Sequence, residues 1–123
     1  AELVRAVLES IAFGARDLAD CMQKDSGVQL SAIRCDGGVS ANDFLMQFQA
    51  DVLGAPVDRP VERESTALGA AMLAMLSADL TDEKELSRLR RSERVFTPDL
   101  SVRDARETGY REYRNAVRRA LLR

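Results

Sequence analysis

The stretch Ala32–Gly54, AIRCDGGVSANDFLMQFQADVLG, decides how this chain is read. It describes a short strand ending at Cys35, a tight Asp36-Gly37-Gly38 turn, and a helix that opens near Ser40 and closes at Gly54. Ser40 can offer its side-chain oxygen to the first amides of that helix, and Asp43 three residues on completes a capping-box pattern. Phe44, Leu45, Phe48, Val52 and Leu53 recur at helical spacing and predict a buried stripe. The turn is the candidate site. Glycine has no Cβ, so a ribose or phosphate can lie directly on the backbone. A following helix directs its free amides and positive dipole end at the same place. Asn42 adds a carboxamide that both donates and accepts, as an adenine edge requires. Taken alone, a plain strand-to-helix turn is still the simpler reading.

Working outward, Leu3, Val4, Val7, Leu8, Ile11, Ala12, Ala15, Leu18, Ala19 and Met22 fall on one face of a helix. Gly27 is placed to stop it in the left-handed cap position. Val28–Cys35 is the predicted strand, with Leu30, Ala32 and Ile33 buried. Downstream, Pro56–Arg59 reads as a second short strand, with Pro60 ending it or keeping it at an edge. Glu64, Ser65 and Thr66 start a third helix to about Ser77, with Leu68, Ala71, Met72, Met75 and Leu76 on its core face. Thr81 is the expected cap of a charged, solvated helix over Asp82–Arg91. Ser101 with Asp104 is the expected cap of a last helix towards Leu122, its core side carrying Val102, Ala105, Gly109, Tyr113, Val117 and Leu121.

The 123 residues fit one domain, and 18 basic against 20 acidic residues leave a net charge of −2. That balance argues against a nucleic-acid binder, and the Arg88, Arg90, Arg91 and Arg94 cluster is diluted by nearby acids. No apolar run is long enough to cross a membrane, so the expectation is a soluble cytoplasmic protein. Cys21 and Cys35 are expected to be buried, reduced thiols rather than a disulfide. There is no histidine, the commonest general base and metal ligand. The helical pattern is already running at Leu3 without a capping residue ahead of it, which suggests the C-terminal piece of something larger. Two short strands alone make an unstable sheet, so further strands are expected before Ala1.

Three segments in order carry a family resemblance. The run DGGVSANDFLMQFQADVLGAPVDRP, Asp36–Pro60, resembles the adenosine-binding segment of the FGGY carbohydrate kinase family. RESTALGAAMLA, from residue 63 to 74, resembles the helix that follows it there. ELVRAVLESIAF, Glu2–Phe13, is similar to the end of the family's second signature pattern. The FLMQFQ run, Phe44–Gln49, looks more like the glycerol-phosphorylating members than the xylulokinases. FTPDLSVRDARETGYREYRNAV, Phe96–Val117, is only loosely similar to the family's closing helix.

The resemblance implies an α/β, actin-like ATPase fold of the ribonuclease H type, two lobes around a cleft. Residues 1–123 would be the C-terminal portion of the second, nucleotide-binding lobe, with two or three short strands and the N-terminal lobe outside the chain. On the family pattern Gly38 and Asn42 match positions that contact ATP or ADP, and Gly37 beside them shapes the loop. Such kinases pass the γ-phosphoryl group of ATP to a polyol or sugar hydroxyl, with Mg²⁺ accompanying the nucleotide. The catalytic aspartate and the polyol pocket would lie before Ala1, so neither a catalytic residue nor a metal ligand is expected here. Asp36 belongs to the adenosine turn and is expected to hold turn amides rather than act as a base. Glycerol is the implied acceptor. Another carbohydrate kinase such as a xylulokinase, or an actin-like module without kinase activity, are the alternatives. The strand at Ile33 would have an open edge, which invites a homo-oligomer.

Overall fold

A computed structural model describes residues 1–62, 64–89 and 91–122. Arg63, at the head of the third helix motif, and Arg90, in the basic cluster, lie outside the described residues. Helix α1 spans Glu2–Ser26 and stops at Gly27, whose φ of 70° is the left-handed cap and whose N–H bonds the Gln23 carbonyl. Strand β1 is Ile33–Arg34, followed by a 3-10 turn at Gly38–Ala41 and helix α2 at Asp43–Leu53. Gly54 ends α2 with φ 64°, donating to the Ala50 carbonyl. Then come β2 (Val57–Pro60), α3 (Ser65–Ser77), α4 (Glu83–Leu89), β3 (Ser92–Phe96), a second 3-10 turn (Leu100–Val102) and α5 (Arg103–Leu121).

The sheet runs β1-β2-β3, with β1 parallel and β3 antiparallel to β2. Sequence periodicity did not predict β3, because its first four residues are exposed and only Phe96 is buried. Its order comes from pairing: Val57 opposes Phe96 and Arg59 opposes Arg94. Pro60 therefore closes a central strand rather than an edge. The register breaks between Arg59 and Pro60, where a residue without an N–H can be accommodated. The strand predicted over Val28–Cys35 shrinks to two residues, and Ala32 is exposed. A strand needs a ladder, and only Ile33 and Arg34 lie opposite β2.

Helix α2 is the centre of the core, packed on α1, α5 and the sheet. Leu45, Met46, Phe48 and Val52 join Ala12, Phe13, Val57, Phe96 and Tyr110 in one cluster. Phe13 meets Phe48 edge-on at 5.5 Å, and both tyrosines of α5 lie within 6 Å of Phe13. Gly109 allows this approach, since a Cβ there would come within 3.2 Å of the Phe13 ring. Phe44, expected in the buried stripe, is instead 40 % exposed at the margin.

Two apolar helix faces lie open. Along α1, Leu3 is 84 % and Val7 60 % exposed, although both belong to the predicted core stripe. In α3 no residue is buried, and Ala71 of its expected core face is exposed. Both patterns were read correctly as apolar, but only part of each is covered: Ala12 and Ala19 of the α1 stripe are buried, and Leu68, Met72, Met75 and Leu76 of α3 are half-buried. In α5 the expected Ala105 and Leu121 are exposed too, and burial falls on Tyr110. Cys21 is an exposed free thiol, not the buried one expected, and Cys35 is half-buried.

Local competition also moved the caps. Asp82, not Thr81, accepts from the Glu85 N–H at 2.8 Å. Asp99, not Ser101, caps the second 3-10 turn by accepting from the Ser101 N–H. Between α1 and α5, the Tyr110 hydroxyl donates to Asp17 at 2.5 Å and to Asp20 at 3.3 Å. Burial, and then the bond to Asp17, push the Tyr110 hydroxyl above its ordinary range. A raised folded pKa means this stabilisation is complete below the unfolded tyrosine value and is lost as pH rises above it. Stability should therefore decline above about pH 10. Tyr110→Phe should lower stability near neutrality by about 1–2 kcal/mol and flatten that alkaline decline, as read by denaturant titrations from pH 7 to 11.

Candidate functional site

The turn between β1 and α2 is held from three sides. Gly37 has φ 79° and ψ 169°, a region open essentially to glycine alone, so the loop shape depends on it. Its carbonyl accepts from the Ser40 N–H at 3.1 Å and from the Ser40 hydroxyl at 2.6 Å. Ser40 is 1 % exposed, turned inward to close the turn rather than outward to cap α2.

The cap of α2 is Asn42. Its Oδ1 accepts from the Leu45 N–H at 3.1 Å, and its carbonyl accepts from the Met46 N–H. Here the structure revises the sequence expectation. One lone pair of the Asn42 carboxamide oxygen is committed to the helix, which leaves Nδ2 as the wholly unused group able to donate to a ligand. Of the first-turn amides expected to face a ligand, the Leu45 N–H is taken by this cap.

Gly38 begins the 3-10 turn with no heavy atom within 4 Å of where a Cβ would stand, and the same holds at Gly37. The face of the turn is therefore open surface against which another molecule can lie. A groove of about 500 Å³ between β2 and α3, lined by Pro60, Ser65, Leu68, Gly69 and Met72, includes neither glycine nor Asn42. Asp36 was expected to hold the turn amides. Its side chain makes no hydrogen bond among the described residues; the turn is closed instead through the Gly37 carbonyl, which accepts from both the N–H and the hydroxyl of Ser40. Behind the turn, burial pushes the Cys35 thiol up, and its sulfur lies 3.2 Å from that of Met46.

Sequence reading missed Arg59. It is 4 % exposed, on the same face of β2 as Val57. Its Nη1 donates to the Ser40 carbonyl at 3.0 Å and to Asp43 Oδ1 at 2.7 Å, and its Nη2 donates to Glu93 at 3.1 Å. The bond to Asp43 comes first among the effects that raise the arginine's pKa, so the guanidinium stays charged. The period-two spacing of Val57 and Arg59 was the available signal. Asp43 is thus an ion-pair centre shared with Arg94, 2.7 Å away, rather than half of a capping box.

Comparison with known proteins places this geometry. Residues 1–78 match the model of the FGGY family of carbohydrate kinases, C-terminal domain. A glycerol kinase from Pseudothermotoga lettingae is 50 % identical over 97 % of this chain, and one from Haemophilus influenzae is 51 % identical over the same share. The chain spans about a quarter of the length of these curated relatives, 24 % in each. A crystal structure of glycerol kinase from Plasmodium falciparum with ADP superposes over 98 % of this chain and 24 % of its own, with TM-score 0.78 and 37 % identity. The ligand-bound xylulose kinase from Lactobacillus acidophilus covers the same shares, with TM-score 0.81 and 28 % identity. The helix-rich arrangement around a three-stranded sheet is part of the actin-like ATPase fold of these kinases. The chain belongs to the FGGY family of carbohydrate kinases.

Proposed function

We propose that this chain is the nucleotide-binding end of an ATP-dependent glycerol kinase, with ATP or ADP held against Gly37, Gly38 and Asn42. The observation that carries the reading is the open turn: backbone without a Cβ at Gly38, beside an amide donor at Asn42 that the helix cap does not use. An ADP-bound relative that superposes on nearly the whole chain supports nucleotide as the ligand. In this reading residues 1–123 form the C-terminal portion of the nucleotide-binding lobe, and the acceptor pocket and catalytic base lie elsewhere in the longer polypeptide. The open apolar stripe of α1 and the open face of α3 are then surfaces that the rest of the polypeptide covers; α3 in particular is apolar all round, and such a helix belongs inside a protein.

Glycerol is favoured as acceptor because, among the superposed structures, the glycerol kinase is 37 % identical to this chain against 28 % for the xylulose kinase. The reaction would move the γ-phosphoryl group from ATP to a glycerol hydroxyl, releasing ADP. Mg²⁺ enters with the phosphates. Among the described residues no group of three or more His, Cys, Asp or Glu side chains could hold a metal ion. No helix of the described residues is long and apolar enough to cross a membrane. A cytoplasmic enzyme fits this reading.

The turn can be tested without disturbing the fold. Gly38 does not have a positive φ, and a side chain there would extend into open space. In the full-length protein, Gly38→Leu should keep the Tm while raising the KM for ATP about tenfold or more, a loss of about 1.4 kcal/mol. Unchanged ATP affinity would remove the site assignment. Assays with glycerol and xylulose test the acceptor, and ATP hydrolysis without a phosphorylated product would defeat the kinase reading.

A further inference from the structure

Arg59 stands behind the turn, on its protein side. Its guanidinium is almost wholly enclosed, lies over the Phe96 ring at 5.1 Å, and joins three segments that are distant in sequence. One nitrogen, Nη1, serves both flanks of Asn42: the carbonyl of Ser40, two residues before it, and the carboxylate of Asp43, immediately after it. Ser40 in turn closes on the Gly37 carbonyl. The other nitrogen, Nη2, serves the scaffold by holding Glu93 on β3. Nε is buried with no hydrogen-bond partner among the described residues, so all directional hold comes from Nη1 and Nη2.

Resting on the nucleotide reading of the turn, we propose that Arg59 is a positioning residue for nucleotide binding: it fixes the Gly37–Asn42 backbone and the direction of Asn42 Nδ2 without touching the ligand. The physical reason is that Asn42 is exposed and its side chain makes one hydrogen bond among the described residues, the cap to the Leu45 N–H. A donor aimed at a ligand from an exposed side chain is useful only if the backbone on both sides of it is stationary. Arg59 supplies that constraint from a strand already locked by pairing on both edges, with β1 on one side and β3 on the other. A planar fork can bond Ser40, Asp43 and Glu93 together, whereas a lysine has one nitrogen and cannot span them.

The test uses the full-length protein with four variants: Arg59→Met, Arg59→Lys, Tyr110→Phe and Gly38→Leu. ADP affinity by calorimetry, KM for ATP, KM for the acceptor and Tm are read for each. Arg59→Met should weaken ADP and raise the ATP KM about tenfold, with the acceptor KM within about twofold of the parent. Arg59→Lys should recover part of that loss, to about threefold. Tyr110→Phe loses stability at a distant helix contact and should leave both KM values in place. If Arg59→Met lowers Tm as Tyr110→Phe does and leaves ADP affinity unchanged, or raises both KM values equally, the positioning role is overturned. Should Arg59→Met fail to fold, Arg59→Lys with Asp43→Asn gives the same contrast: both must weaken ADP selectively, or the proposal falls. Gly38→Leu separates the two levels. Loss of ADP binding in Gly38→Leu with none in the Arg59 variants rejects positioning alone, while no effect in Gly38→Leu rejects the site itself.

Discussion

Replacing Asn42 by aspartate is expected to leave the start of α2 as stable as before and to raise the KM for ATP at least about tenfold in the full-length protein. The two outcomes separate because the two ends of the carboxamide do different work. Oδ1 caps Leu45 N–H at 3.1 Å, and aspartate is as good a helix N-cap as asparagine. Nδ2, in the proposed site, donates to the nucleotide, and aspartate replaces that donor with a second acceptor carrying negative charge. The loss of a hydrogen bond together with the introduced repulsion is worth about 1.5–3 kcal/mol. Asn42→Ala should differ in kind: it loses the donor and also about 1 kcal/mol of cap. Calorimetric ADP titration beside thermal unfolding checks both. An aspartate variant that binds ADP normally would show that Asn42 serves the helix alone.

The second large effect is expected away from the turn. Asp51→Ala should destabilise the fold by about 3 kcal/mol, whereas Asp51→Asn should cost about 1–2 kcal/mol. Asp51 lies on α2 with its side chain only 3 % exposed. Its Oδ1 accepts from Gln47 at 2.8 Å and from the Asp99 N–H at 2.9 Å, and its Oδ2 pairs with Arg106 at 3.3 Å. Alanine leaves a half-buried arginine and a backbone donor without their partner at the junction of α2, the second 3-10 turn and α5. Asparagine keeps one carboxamide oxygen for the backbone donor but loses the charge and the second acceptor, which pairs with Arg106. Arg106 keeps some solvent access, which holds the expected cost at the lower end for a buried pair. Denaturant midpoints of the three proteins provide the comparison, and equal midpoints for alanine and asparagine would mean that the backbone bond to Asp99 contributes nothing.

Both positions show where sequence reading stops. Asn42 was legible as a candidate site residue because its place after Gly37 and Gly38 is a local pattern, and the family resemblance singles out the same position. Which of its side-chain atoms the helix cap would take was not legible. Ser40 and Asn42 are both good N-caps, and propensity cannot choose between them. The choice was made by Arg59, 19 residues from Ser40, together with the inward bond from Ser40 to Gly37. Asp51 looked like one more charge on an amphipathic helix. Its burial follows from Asp99 and Arg106, 48 and 55 residues away.

The sequence by itself determined the local events: α1 ending at Gly27, α2 ending at Gly54, the glycine turn between β1 and α2, and the resemblance of three short runs to one family. Each rests on steric and hydrogen-bond preferences acting within about a helical turn, which the residues carry wherever they are placed. The tertiary structure alone decided that Ser92–Phe96 is a strand, that Pro60 closes a central one, and that Arg59 and Asp51 are buried. Strand pairing and charge burial depend on which partner arrives from far along the chain, and a local pattern such as the period-two spacing of Val57 and Arg59 gives the face but not the partner. The same reason explains the exposed stripes of α1 and α3. Their apolar character is written in the sequence, but what covers them is a matter of tertiary contact.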